Sequence, residues 1–149
     1  MTSETPIDGV VLNPLKIIRD DRGAVMHMLR ADAPHFHSFG EIYFSLVNPK
    51  VVKAWKRHHR MALNLAVIVG SIKLAIYDDR PDSPTRGATQ EIIFGPENYT
   101  LVTVPPGVWY GFSCPGDSPA LMANCATTPH DPTESDSLPA DSDSIPYRW

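Results

Sequence analysis

The chain has 149 residues, 42% apolar and 20% charged, which suits about one globular domain around one core. Thirteen Lys and Arg against 17 Asp and Glu leave a formal charge of −4, which argues against a generic nucleic-acid binder, because phosphate-backbone affinity rests on clustered cations. The longest apolar run, residues 65–69, is far short of the roughly 20 residues that a membrane span needs, so no membrane partner is expected. A domain of this size folds without disulfides, so Cys114 and Cys125 need not pair. With no cationic-then-apolar leader and no Ala-x-Ala pattern at the start, the expected location is the cytoplasm.

Fifteen Pro and nine Gly punctuate the chain, and no apolar pattern of helical period survives between them for three turns, so the class is all-β. Residues 12–19 read as a strand stopping at the turn Asp20-Asp21-Arg22-Gly23, and residues 24–30 resume as its hairpin partner. Further strands are expected at 42–47, ending at Asn48-Pro49, and at 51–59. Residues 63–77 form a mainly apolar stretch that Gly70-Ser71 divides into two strands, with Ile72, Leu74 and Ile76 alternating against Ser71, Lys73 and Ala75. A turn-rich connection at 78–87 leads to short strands at 91–94, 101–104, 108–112 and 121–126. Residues 129–146 are Asp, Ser, Pro and Thr with little apolar content, an irregular tail expected to wrap the surface or stay mobile, anchored by Ile145, Tyr147 and Trp149. No repeat and no second domain is visible, so residues 1–149 read as a single domain.

Nine or so short strands without a covering helix leave a double-sheet jelly roll or a closed barrel, with ligand chemistry carried by inward side chains near the mouth. Six of the 13 cations fall within residues 50–60 and at Lys73, either as a charged strand edge or as an anion-attracting site. Strict alternation puts Ala54, Lys56 and His58 on one face, and Lys53, Trp55, Arg57 and His59 on the other, unless a bulge shifts the register. If the first face looks inward, Lys56 and His58 bracket a substrate about 7 Å apart. A barrel metal site would need His-x-His, a following carboxylate and a third His after a Pro-x-Gly turn. The chain offers Lys56-Arg57-His58, then Ala62-Leu63, then Tyr110, so no metal is expected. His35 and His37 read as surface residues. A phosphate-binding Gly-rich loop, a nucleophile elbow and a Cys paired with a base are all missing from the sequence.

The segments Asp20-Asp21-Arg22-Gly23, Val52-Lys53-Ala54-Trp55, Asp79-Arg80-Pro81-Asp82-Ser83-Pro84-Thr85-Arg86-Gly87, Pro96-Glu97-Asn98 and Val104-Pro105-Pro106-Gly107-Val108-Trp109-Tyr110-Gly111-Phe112 occur in that order. Together they resemble the dTDP-4-dehydrorhamnose 3,5-epimerase family from about residue 12 to residue 134. The resemblance implies a cupin jelly roll, a homodimer, no cofactor, and a ligand of the dTDP-sugar type. It also implies a reaction in which a base removes the proton beside a 4-keto group and a donor on the opposite face returns one. Arg22 and Lys53 match positions that contact nucleotide or sugar, Lys53 standing for the family's Arg. Where the family reads Arg-Gly-Leu-His with the base last, the chain reads Lys53-Ala54-Trp55-Lys56. Tyr110 replaces the second family His, Asn124 stands near the family's Tyr donor, and Val25 and His27 replace the Phe and Glu after the Asp-x-Arg-Gly turn.

A lysine is a base only in its neutral form, which burial or neighbouring cations must favour. His58 is the plainer base, and it lines up with the second His of the related sugar 3,4-ketoisomerases. The candidate site is therefore His58, Lys56 and Tyr110 for chemistry, with Arg22, His27, Lys53, Trp55 and Asn124 for binding. Three readings stand beside one another: an epimerase or isomerase of a dTDP-4-keto-6-deoxysugar, with a 3,4-ketoisomerase as its variant; a nucleotide-sugar-binding cupin that has lost turnover; and an unrelated cupin whose aromatics are only core.

Overall fold

The computed structural model describes residues 2–4 and 6–149, the first three through their backbone alone. Residues 1 and 5, on which part of the reading of the N-terminus falls, lie outside the described residues. Among the described residues there is no helix, and hence none long and apolar enough to cross a membrane. Thirteen strands follow in chain order: β1 (Thr2–Glu4), β2 (Val11–Pro14), β3 (Ile17–Asp20), β4 (Gly23–Met26), β5 (Glu41–Val47), β6 (Val52–His58), β7 (Leu63–Val69), β8 (Ile72–Tyr77), β9 (Thr89–Phe94), β10 (Thr100–Val104), β11 (Trp109–Ser113), β12 (Ala120–Ala126) and β13 (Ser135–Ser137). A six-stranded sheet, in the order β1-β9-β8-β11-β6-β13, faces a five-stranded sheet, β2-β10-β7-β12-β5, and β3-β4 stands apart as a hairpin. The class is all-β and the architecture is the cupin jelly roll.

The core lies between the sheets. Ile72, Leu74 and Ile76 of β8 are at most 1% exposed, as their period-two spacing predicts, and meet Leu63, Leu65 and Val67 of β7 with Val102 and Val104 of β10. Burying each such side chain is worth about 1.5–3 kcal/mol. Gly70 takes φ +80°, a conformation open to glycine at little cost, and lets the chain leave β7 in one sheet and enter β8 in the other.

Two expectations need correction. The single strand read at 12–19 is two strands, because the β2–β10 ladder ends at Pro14 and Leu15 N then bonds the Tyr99 carbonyl at 2.9 Å, so that β3 turns away into the hairpin. The tail is more ordered than its composition suggested: Ser135, Asp136 and Ser137 pair with His58, Arg57 and Lys56, making β13 the outer strand of the larger sheet. β6 therefore has a partner on both sides and is no free edge. Beyond β13 the chain folds over the outer face of this sheet, where Ile145, Tyr147 and Trp149 cover Trp55, Ala75 and Trp109.

Candidate functional site

The pairing of β6 with β11 decides which residues meet. Trp109 lies opposite Arg57 and Tyr110 opposite Lys56, but Gly111 lies opposite Ala54, so Trp55 is an extra residue forming a β-bulge. The bulge shifts the alternation by one. Lys53, expected to share a face with Trp55 and Arg57, instead joins Lys56 beside Tyr110 and Phe112 along a cavity of about 450 Å³ between the sheets. Trp55 borders that cavity, but its ring lies in the outer aromatic layer, with ring centroids 5.2 Å from Trp149 and 5.8 Å from Tyr147 and its Nε1–H donated to the Ala140 carbonyl. Arg57 also points outward, stacked 4.5 Å from the Trp109 ring centroid and paired with Asp136 at 2.8 Å.

His58 faces inward, behind the cavity wall. Its Nδ1–H donates to Glu134 Oε1 at 2.7 Å, and its Nε2 accepts the Tyr110 hydroxyl at 3.2 Å. With the Glu134 carboxylate as acceptor, the imidazole is fixed in the tautomer that leaves Nε2 as the basic nitrogen. Glu134 is only 1% exposed. Burial alone would raise its carboxyl, but the backbone N–H groups of Arg60 and Met61, each 2.7 Å from Oε2, and the His58 N–H outweigh this and hold it down at about 2. The Pro105-Pro106-Gly107 turn secures the same spot, with Gly107 at φ +90° donating its N–H to the His58 carbonyl at 2.7 Å.

The result is a chain of three groups, Glu134 to His58 to Tyr110, whose last member lines the cavity. Burial, with smaller contributions from Tyr43 and Glu134, pushes the Tyr110 phenol well above its usual value, so it rests as a neutral hydroxyl. Of the two lysines, Lys53 spans to the Leu46 carbonyl at 3.0 Å, whereas Lys56 is exposed at the cavity with no side-chain partner among the described residues. The facing wall comes from the five-stranded sheet and contributes Tyr43, Ser45 and Asn124 between Leu63, Leu65 and Met122. Ser137 and Leu138 of the tail complete the rim.

The fold thus brings together Lys53, Lys56, Tyr110 and Asn124, with His58 immediately behind Tyr110. It does not bring Arg22 or His27 to this cavity. Arg22 sits at the tip of the hairpin, largely exposed and paired with Asp20, and His27 lines a separate cleft with Lys16, Arg30 and His35. Sequence reasoning missed Glu134, concealed in an acidic tail that reads as solvated, and Tyr43, in a strand whose apolar neighbours read as core. Among the described residues, no group of three or more His, Cys, Asp or Glu side chains is placed to hold a metal ion.

With this geometry in place, similarity to known proteins is specific. A crystallised dTDP sugar isomerase from Desulfovibrio desulfuricans G20 is 49% identical, with a TM-score of 0.94 over 96% of this chain and 92% of its own. A probable low-salt glycan biosynthesis epimerase, Agl13 of Haloferax volcanii, is 35% identical over 95% of this chain and 88% of its own length. The spore coat polysaccharide biosynthesis protein SpsL of Bacillus subtilis is 30% identical over 96% of each. Residues 4–149 match the family described as dTDP-4-dehydrorhamnose 3,5-epimerase, and the chain belongs to that family.

Proposed function

We propose that the protein epimerises a dTDP-linked 4-keto-6-deoxysugar, of the kind that leads to rhamnose, by proton transfer at a carbon beside the ketone. The observation that carries this reading is the hydrogen-bonded chain Glu134–His58–Tyr110 ending in the cavity. Such a carbon acid needs a base held out of water and a positive charge for the enolate that forms. His58 is the base, reached through the Tyr110 oxygen, and Glu134 stabilises the imidazolium. Lys56 sits where an enolate or diphosphate oxygen would find a cation, and Lys53 widens the same positive field. The buried carboxylate partner of His58 favours turnover over bare binding, since it orients the imidazole and would stabilise the imidazolium that proton abstraction forms.

The reading includes a homodimer. Ile42, Phe44 and Leu46 project from β5, an edge strand of the five-stranded sheet, and are 50–61% exposed. The two-stranded β3–β4 hairpin exposes Ile18 and Val25, and a hairpin of that size is marginal unless something packs on it. A second copy covers both surfaces. It also gives Arg22 and His27 a place in nucleotide binding, because these residues then serve the partner's cavity. Two buried, unpaired cysteines, Cys114 and Cys125, suit work in the reducing cytoplasm.

The test is incubation with dTDP-4-keto-6-deoxyglucose in heavy water. Deuterium entering at carbon 3 or carbon 5 with inversion is expected. Migration of the ketone to carbon 3 would identify a ketoisomerase instead, and tight dTDP binding without any exchange would identify a binding protein.

A further inference from the structure

Inverting a carbon through a planar enolate requires an acid on the face opposite the base. The Glu134–His58–Tyr110 chain belongs to one wall, with His58 on β6 and Tyr110 on its neighbour β11, and Tyr110 already donates its proton to His58. Lys53 and Lys56 extend from that same β6. Tyr110 therefore stands on the base's side, and the acid must come from across the cavity. There the polar groups are Tyr43, Ser45 and Asn124. An amide is no acid, which leaves two hydroxyls.

Tyr43 is the hydroxyl that is held in position. Asn124 Nδ2 donates to its oxygen at 2.9 Å, while Asn124 Oδ1 accepts the Asn64 backbone N–H at 3.2 Å. The Asn64 side chain is fixed in turn by the Cys125 carbonyl at 3.0 Å and the Thr103 hydroxyl at 2.9 Å. Asn64 and Asn124 are 4% and 3% exposed, so this is a buried, satisfied polar ladder running through the five-stranded sheet to one phenol oxygen. A phenol that accepts from an amide keeps its own proton to give, and none of the described residues takes it.

We propose that Tyr43, held by Asn124, is the acid that returns the proton to the sugar carbon on the face away from Tyr110. This deepens the epimerase reading and rests on it. In the first half-reaction the Tyr110 oxygen takes the carbon-bound proton as its own passes to His58 Nε2. The C–H electron pair becomes part of the enolate double bond, and the ketone oxygen takes up the charge. In the second, the enolate pair returns to carbon and forms a new C–H bond with the Tyr43 proton, leaving the O–H electrons on the Tyr43 oxygen. Exchange with water resets the imidazolium and the phenolate. Burial raises the Tyr43 phenol above its usual value, the Asn124 bond partly offsets this and Glu41 adds to it, so Tyr43 enters the cycle carrying its proton.

The test separates exchange from inversion, using dTDP-4-keto-6-deoxyglucose in heavy water. Wild type is expected to do both. Tyr43→Phe is expected to keep washing deuterium into the sugar, because the Tyr110 side is intact, while the inverted product forms about 100-fold more slowly or less. Unchanged dTDP affinity reports an intact cavity. Should Tyr43→Phe lose that affinity, Asn124→Ala carries the test, with inversion slowed more than exchange. Inversion at the wild-type rate in a variant that binds dTDP overturns the role of Tyr43 and leaves the epimerase reading standing. A wild type with neither exchange nor inversion overturns that reading, and the role of Tyr43 with it.

Discussion

Glu134 is the residue on which stability and the proposed chemistry converge. Its carboxylate accepts hydrogen bonds from His58, Arg60 and Met61 inside the protein, and removing one member of such a buried set costs about 3 kcal/mol. Glu134→Gln should lower the free energy of unfolding by roughly that amount at pH 7, read from urea denaturation. The folded carboxyl lies near 2, below its ordinary 4.5, so the stabilisation is complete above about pH 4.5 and is lost as the pH falls towards 2. The gap between wild type and Glu134→Gln should therefore close over that window, and a gap independent of pH would show that the charge contributes nothing. His58→Asn should slow deuterium exchange into substrate by a factor of about 10² to 10⁴. At this scale the sequence was half legible. Lys56 and His58 stood out because cations and bases are unusual on short apolar strands, and Tyr110 because it stands where the resembling family has a His. Glu134 did not, since its partner lies 76 residues away and the acidic tail around it looks like any solvated segment.

Among the elements, the bulge in β6 and the strap formed by β13 and the C-terminal tail matter most. Period-two reading assigned His58 and Lys56 to one face but put Lys53 with Trp55. Only the pairing with β11 shows the extra residue that moves Lys53 to the cavity. Ordinary strand patterning was enough for β7 and β8, whose residues meet a continuous apolar core, and it failed where one residue departs from the ladder. Composition likewise hid β13, because its three residues are held by main-chain pairing to β6, which residue type does not reveal. The strap is stapled by Trp55, Ile145, Tyr147 and Trp149, with Tyr147 bonded to Glu91 and Lys73 lying 5.5 Å from the Trp149 ring centroid. Ile145 is fully buried, so Ile145→Ala should destabilise by about 2–5 kcal/mol. It should also slow turnover, because the same segment holds Glu134, and an unchanged rate would show that the two ends of the strap are uncoupled. The close packing of β11 makes a second point: a methyl group at Gly111 would lie 2.9 Å from Trp149 Cζ2 and against Ala54, so Gly111→Ala should cost about 1–3 kcal/mol by overpacking.

On the scale of the whole molecule, two walls of different character enclose one cavity: cations, imidazole and phenol from the six-stranded sheet, and a phenol on an amide ladder from the other. In the proposed dimer the exposed stripe of Ile42, Phe44 and Leu46 is the surface that a second copy covers. Light scattering should find wild type at twice the 16.5 kDa of the chain and the Phe44→Glu, Leu46→Glu double variant at that single mass. A wild-type monomer would leave Arg22 and His27 without a site to serve. The most direct measurement of the central claim is a crystal structure with dTDP-glucose, which lacks the ketone and so is not consumed. The sugar ring is expected in the cavity with one face within about 3.5 Å of the Tyr110 oxygen, His58 and Glu134 still in line behind it, and the Tyr43 oxygen over the other face. A sugar bound away from this cavity, or one with both phenols on the same face, would contradict it.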